Sequence, residues 1–111
     1  MKKTGEITAI LINPFTREVT EVIYSGDYKQ IYELIDCTTF GAPYLTNGDS
    51  IYCDDEGMYK SVIIPFITSL FSSTHPLVNK CLILGTNLVN GESISTSLTV
   101  EEVRQSIQWT I

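Results

Sequence analysis

Three consecutive carboxylates, Asp54, Asp55 and Glu56, form the densest group of potential ligand atoms in the sequence. They lie in a turn that Gly57 is expected to end, where adjacent side chains point to different sides. A hard cation instead needs spaced oxygen ligands that converge on one point. The run is therefore typical of a solvated acidic turn. A protein-binding surface and, if Asp49 contributes, a metal site are the alternatives, and we predict that no metal binds.

Cysteine and histidine, a common nucleophile and base, do not form a recognisable catalytic set. The only histidine, His75, follows the hydroxyl residues 72–74. Adjacency along the chain does not supply the geometry of a nucleophile and its base. The three cysteines, Cys37, Cys53 and Cys81, include no close C-x-x-C pair of the kind that binds zinc. We interpret them as buried hydrophobic residues with free thiols, and we predict a protein that is not an enzyme and has no cofactor.

Residues 85–91 look faintly like a loop that binds phosphate at the end of a strand. The phosphate loop of nucleotide hydrolases requires G-x-x-x-x-G-K-[ST], whereas here the second glycine comes one residue late and no lysine follows. Backbone N–H groups of Gly85, Thr86 and Asn87 could still bind an anion. The other members of this possible small-ligand pocket would be the turn at 54–57, Tyr52, Tyr59, Lys60 and Lys80.

Length and composition predict one globular domain. The 111 residues are 43% hydrophobic and 18% charged, which is ordinary for a folded domain of this size. We expect residues 1–4 to form a flexible tail and residues 5–111 to form the domain. No apolar run reaches the roughly 18 residues of a membrane span, and no signal-peptide pattern follows the first lysines. We therefore expect a cytoplasmic protein that does not cross a membrane.

The charge balance is acidic, with 13 acidic and 7 basic residues and a formal net charge of −6. Binding to nucleic-acid backbones requires clustered lysine and arginine, and here these residues are scattered singly. Nucleic-acid binding is therefore not expected. An acidic surface serves solubility, and it also leaves a basic protein partner possible.

The first half of the sequence has the pattern of a hairpin followed by a helix. Residues 7–12 and 19–24 are rich in β-branched and aromatic side chains and flank a short turn. Asp27 is a suitable N-cap for a helix over 27–36. The apolar face of this helix would consist of Tyr28, Ile31, Tyr32 and Ile35.

The second half predicts short strands and a closing helix. Asn47-Gly48 is a strong turn signal, residues 80–85 have the composition of a buried strand, and residues 65–71 favour a helical turn. Thr99 and Glu102 have the spacing of a capping box, which predicts a helix over 99–108 that Trp109 fastens to the body. Together these elements predict an α+β fold, a mixed or antiparallel sheet of about five strands with both helices on one face.

Five segments and one glycine resemble a family of small uncharacterised domains that are common in phage and mobile-element genomes. The resemblance rests on AILINP (9–14), DYKQIYELI (27–35), IYCDDEG (51–57), LILGTN (82–87) and SLTVEE (97–102), with Gly91. These motifs are turns and strand ends, and the resemblance implies neither an activity nor catalytic residues. It implies a small accessory protein that binds a host factor.

The missing catalytic set, the acidic surface and this resemblance lead to one main functional hypothesis. The chain is expected to be a non-enzymatic phage or mobile-element accessory protein that binds a host protein, in counter-defence or host takeover. The alternative is a domain that binds or sequesters a small anionic ligand such as a nucleotide signal. A homo-oligomer is possible in either case, because small sheets often pair to bury an open edge.

Overall fold

A computed structural model describes residues 6–71 and 76–110 of the chain. This part contains nine strands, two short α-helices and a 3₁₀ turn. The strands are β1 (Ile7–Asn13), β2 (Glu18–Tyr24), β3 (Phe40–Gly41), β4 (Ser50–Asp54), β5 (Pro65–Thr68), β6 (Leu77–Val78), β7 (Cys81–Thr86), β8 (Ser93–Ile94) and β9 (Ile107–Trp109). The helices are α1 (Lys29–Leu34) and α2 (Val100–Ser106), and the 3₁₀ turn is Gly57–Tyr59.

The main sheet is built around β7. Its strand order is β2-β1-β7-β4-β3, β8 also pairs with β7, and every pairing is antiparallel. Residues 81–85 of β7 are all buried, so both faces of this strand are covered. Successive side chains of a strand point to opposite faces, and β7 therefore contributes alternately to two hydrophobic cores.

One face of the main sheet carries what we call the first core. A second sheet of order β6-β5-β9 and helix α2 contribute to it. The aromatic ring of Phe66 on β5 lies 6.1 Å from that of Trp109 on β9. The buried members of the first core are Ile10, Ile12, Val19, Leu45, Ile51, Phe66, Cys81, Ile83 and Val103.

The opposite face carries the second core, which α1 covers. Its buried members are Ala9, Tyr24, Ile31, Ile35, Cys37, Leu82 and Leu84. A row of aromatic rings borders it, in which Tyr28 contacts Tyr32, Tyr32 contacts Phe40, and Phe40 contacts Tyr52, with centroids 5.2–6.1 Å apart. Of the apolar face predicted from spacing, Ile31 and Ile35 are buried in this core and Tyr32 packs against it, but Tyr28 is 56% exposed.

The expected α+β fold, with two main helices over 27–36 and 99–108 on one face of a five-stranded sheet, is wrong. The described part of the chain is dominated by strands, which form two sheets, and its helices have only six and seven residues. They also lie on opposite faces, because Ile31 belongs to the second core and Val103 to the first.

Two segments account for much of this error. Residues 65–71 were expected to form a helical turn, but β5 is a strand in which Phe66 and Thr68 alternate inward. The expected last helix ends at Ser106, and Trp109 lies in β9 opposite Phe66. A short apolar run is compatible with either helix or strand, and here pairing between the two distant segments decides in favour of strand.

Other local predictions are confirmed. The first two strands form the hairpin β1–β2, and Gly48 has the left-handed φ of 92° that its turn requires. Thr99 and Glu102 form the predicted capping box, each side chain accepting the other's backbone N–H at 3.1 Å. The predicted flexible tail at 1–4 lies outside the described residues. Among residues 6–71 and 76–110, no helix has both the length and the apolar character that crossing a membrane would take.

Replacing Phe66 with alanine should lower the free energy of unfolding by about 3–5 kcal/mol, because it leaves a cavity where the two sheets meet. Urea denaturation followed by Trp109 fluorescence measures the change. The matched control is Phe15→Ala, at a half-exposed ring, for which we expect less than about 1 kcal/mol. Equal losses in the two variants would show that the second sheet does not pack on the first core as described.

Candidate functional site

The acidic turn divides into one buried carboxylate and two exposed ones. Asp54 ends β4, and its side chain is only 1% exposed. Its Oδ1 accepts the Glu56 N–H at 2.9 Å, and its Oδ2 lies 2.9 Å from the Lys60 ammonium. That second contact is an ion pair rather than an aligned hydrogen bond. Asp54 is therefore an anchor for the turn, and the interpretation of a fully solvated turn does not hold for it.

Asp55 and Glu56 are exposed. A Cβ atom placed on Gly41 would lie 2.7 Å from Asp55 Oδ1, so the Asp55 carboxylate rests directly on the β3 backbone. Within the described residues, neither carboxylate has an ion-pair partner. The part of the chain that the structure describes also contains no group of three or more His, Cys, Asp or Glu side chains that could hold a metal ion.

Lys60 and Lys80 line the same cleft, which has a volume of about 180 Å³. Lys60 follows the 3₁₀ turn, and Lys80 immediately precedes β7. The ammonium of Lys80 lies 2.7 Å from Asp36 Oδ2, and that of Lys60 also contacts the Asp36 carbonyl. Both lysines are thus already paired with oxygen atoms. The lining residues are Phe15, Ile35, Asp36, Lys60, Ser61, Val62, Asn79 and Lys80.

Gly85, Thr86 and Asn87 lie at the other end of the main sheet. Ser50 is opposite Leu84, so the end of β7 adjoins the start of β4 rather than the acidic turn. A strand advances about 3.3 Å per residue, so the two ends of β7, Cys81 and Thr86, lie about 16 Å apart. The structure therefore does not bring the two halves of the predicted small-ligand pocket together.

The loop after β7 is closed by its own hydrogen bonds. Asn87 N–H donates to the Glu92 carbonyl at 2.8 Å, and the Asn87 carbonyl accepts Gly91 N–H at 2.7 Å. A Cβ on Gly85 would lie 2.5 Å from the Ser95 carbonyl oxygen. Gly85 thus permits the close approach of the segment around β8, which is a structural role.

The two tyrosines of the predicted pocket have different environments. Tyr52 packs on Phe40 and shares a 3.4 Å hydrogen bond with Ser93, so it belongs to the border of the second core. Tyr59 is 88% exposed, and its neighbours Met58 and Val62 are 65% and 55% exposed. These residues form an apolar surface that spacing alone did not identify, because residues 60–64 form no helix or strand whose periodicity would define a face.

The sequence did not predict which of the three cysteines lie close together. Cys53 and Cys81 meet across β4 and β7, with their sulfur atoms 3.6 Å apart, whereas Cys37 lies in the second core. Burial, followed by the nearby Asp54 carboxylate, raises the pKa of Cys37 to about 11. The hydrogen bond with Cys53, followed by burial, raises the pKa of Cys81. His75 lies outside the described residues.

Comparison with known protein families matches nearly the whole chain. The model of a family described as Domain of unknown function (DUF3846) matches residues 7–109. No curated protein and no solved structure matches the chain.

Replacing Lys60 with methionine should lower the free energy of unfolding by about 1–3 kcal/mol, because the buried Asp54 carboxylate loses its cation. Lys80→Met is the matched control, since the partner of Lys80, Asp36, has a 65% exposed side chain. An exposed pair contributes at most about 1 kcal/mol. Urea denaturation of both variants measures the difference, and a Lys80 effect as large as that of Lys60 would contradict the anchoring role of Asp54.

Proposed function

We propose that this chain, which belongs to the DUF3846 family of domains of unknown function, is a non-enzymatic binding domain that engages a basic protein partner. The proposed contact region is the 55–62 surface, defined by the exposed residues Asp55, Glu56, Met58, Tyr59 and Val62. The observation that carries the proposal is the exposure of three large apolar side chains next to two carboxylates without ion-pair partners in the described residues.

The apolar part of this surface has the character of a protein interface. Exposed apolar patches mark sites of interaction, and tyrosine and methionine are enriched in the buried centres of interfaces. Burying Tyr59 and Met58 against a partner would remove apolar area from water at about 25 cal/mol per Å². No comparable gain is available to them in the isolated chain, where both remain largely in solvent.

The segment is held in place before any partner arrives. Lys60 connects it to the buried Asp54 carboxylate and to the Asp36 carbonyl, and the Asp55 carboxylate rests on Gly41. A surface that is already ordered loses less conformational entropy on binding. The ion pair of Lys60 therefore supports binding indirectly, by fixing the backbone on which Met58, Tyr59 and Val62 are displayed.

Charge favours a basic partner. The chain carries a formal net charge of −6, and Asp55 and Glu56 stand exposed beside the apolar side chains. Opposite charges on a partner would accelerate association and would orient the complex. A protein that normally binds DNA presents such a basic surface.

The setting that we propose follows the resemblance to phage and mobile-element domains. In this setting the partner is a host protein in the host cytoplasm, and binding serves counter-defence or host takeover. The resemblance alone supports this part of the proposal, and the identity of the partner is to be decided by the experiment below.

A small anionic ligand is the second candidate, favoured by the position of Lys60 and Lys80 in one cleft. The cleft volume of about 180 Å³ is below the roughly 300–1,000 Å³ of typical ligand sites, so it suits a phosphate group better than a whole nucleotide. Both lysines would also have to loosen contacts to Asp36 or Asp54. For these reasons the protein-binding function is preferred.

The double variant Met58→Ala/Tyr59→Ala should lose the partner. Immobilised wild-type and variant chains are incubated with host lysate, and proteins retained by the wild type alone are identified by mass spectrometry. The best candidate is then purified, and its Kd is measured by titration calorimetry. We expect at least about tenfold weaker binding by the variant, as for loss of a central aromatic anchor, and weaker binding of the wild type at higher salt.

The matched control is Leu88→Ala/Val89→Ala, which removes two apolar side chains that are 84% and 96% exposed at the opposite end of the main sheet. This variant should bind the partner as the wild type does. A purified partner that binds both double variants equally would overturn the proposed surface. If no retained protein binds in purified form, the protein-binding function itself is overturned. Titration with inorganic phosphate, with Lys60→Ala/Lys80→Ala as control, then tests the second candidate.

A further inference from the structure

Two cysteines face each other across the adjacent strands β4 and β7 of the main sheet. Ser50 pairs with Leu84, Ile51 with Ile83, and Tyr52 with Leu82. One step further along this antiparallel register, Cys53 stands opposite Cys81. The two sulfur atoms are 3.6 Å apart.

The backbone at this position favours closure of a disulfide. The Ile51 N–H donates to the Pro43 carbonyl and so points away from β7. Ile51–Ile83, and by alternation Cys53–Cys81, are therefore non-hydrogen-bonded pairs, in which the Cα atoms of antiparallel strands lie about 4.5 Å apart. This separation is within the roughly 4.4–6.8 Å that disulfides span.

The surroundings of the two thiols differ. Cys81 is fully buried, and its thiol also lies near the Asn79 carbonyl, whereas Cys53 is only partly buried. The third cysteine, Cys37, is in the second core, on the other face of the sheet. Only one pair of cysteines is thus placed to react within the chain.

We propose that Cys53 and Cys81 form a modification site, which closes to an intrachain disulfide when the protein meets a hydroperoxide. The inference is independent of the proposed function. It concerns Cys81, a member of the first core, and Cys53, which packs against that core, whereas the proposed contact region consists of exposed side chains.

The reaction has two steps. The more accessible Cys53 thiol first releases its proton. The thiolate then attacks the outer oxygen of the hydroperoxide, the O–O bond breaks, and Cys53 becomes a sulfenic acid. The alkoxide or hydroxide that leaves takes up the released proton and becomes an alcohol or water. The Cys81 sulfur then attacks the Cys53 sulfur and expels hydroxide, which leaves as water with the Cys81 proton. Two thiols are oxidised and one peroxide is reduced. The sulfur atoms must approach from 3.6 Å to about 2.05 Å, which side-chain rotation supplies.

Limited oxidation of the whole folded chain by hydrogen peroxide tests the site. Intact mass and the number of free thiols after denaturation are measured before and after treatment. The wild type, with three cysteines, should fall to one free thiol and lose about 2 Da, the mass of two hydrogens. Dithiothreitol should restore all its thiols.

Cys37→Ala is the matched control and should still lose both remaining thiols. It is needed because cleavage after lysine and arginine leaves Cys37 and Cys53 on one fragment, residues 30–60. In the treated Cys37→Ala chain, this fragment should be linked to the one that begins at Cys81. Cys53→Ala, at the partly buried position, should keep both of its thiols and its mass.

Several outcomes would overturn the proposal. The first is an equal loss of thiols in Cys53→Ala and in the wild type. The second is a wild type that gains oxygen without losing hydrogen, or that forms crosslinks between chains. The third is a wild type that keeps three free thiols even when it is treated until its methionines are oxidised. A pairing of Cys37 with Cys81 would overturn it as well.

Discussion

The insertion of β7 between β1 and β4 is the constraint from which the rest of the structure follows. Each of its neighbours supplies an antiparallel ladder, and residues 81–85 have no face in contact with solvent. A strand that is apolar on both sides requires a cover on both sides. Helix α1 covers one face, and the small sheet with α2 covers the other. The absence of a side chain at Gly85 then lets the β8 segment approach the same strand.

Both ends of β4 are marked by a buried carboxylate that holds the neighbouring loop. Before the strand, Asp49 accepts a 2.5 Å hydrogen bond from the Thr96 hydroxyl and a weaker one from Ser97 N–H. At its end, Asp54 accepts Glu56 N–H and pairs with Lys60. A buried charge is costly unless it is paired or hydrogen-bonded, so each carboxylate restricts its loop to few conformations. The exposed segments next to β4 are consequently held in place by the buried carboxylates at its two ends.

The sequence predicted local features well and tertiary ones poorly. The hairpin β1–β2, the Asn47-Gly48 turn, the buried β7 and the capping box of α2 depend on neighbouring residues, and each was predicted correctly. Residues 65–68 and 107–109 become strands because they pair with each other. No local sequence pattern indicates a pairing strand that lies so far away along the chain. The same limit applies to the candidate site. Lys60 and Lys80 were both singled out, but their common cleft, the burial of Asp54 and the contact between Cys53 and Cys81 arise only from the order of the strands.

The position of β7 in the sheet also determines when the sheet can be completed. The two strands that β7 joins, β1 and β4, both precede it in the chain, so they are synthesised before the strand that connects them. A growing chain that ends before Cys81 carries two apolar strands whose facing edges have nothing to pair with, and such edges recruit other chains. Closing the sheet then requires contacts between residues as distant as Ile10 and Ile83, which makes folding of this kind slow relative to that of a helical bundle. On the ribosome, the second half of this chain therefore determines how long the first half remains vulnerable to aggregation.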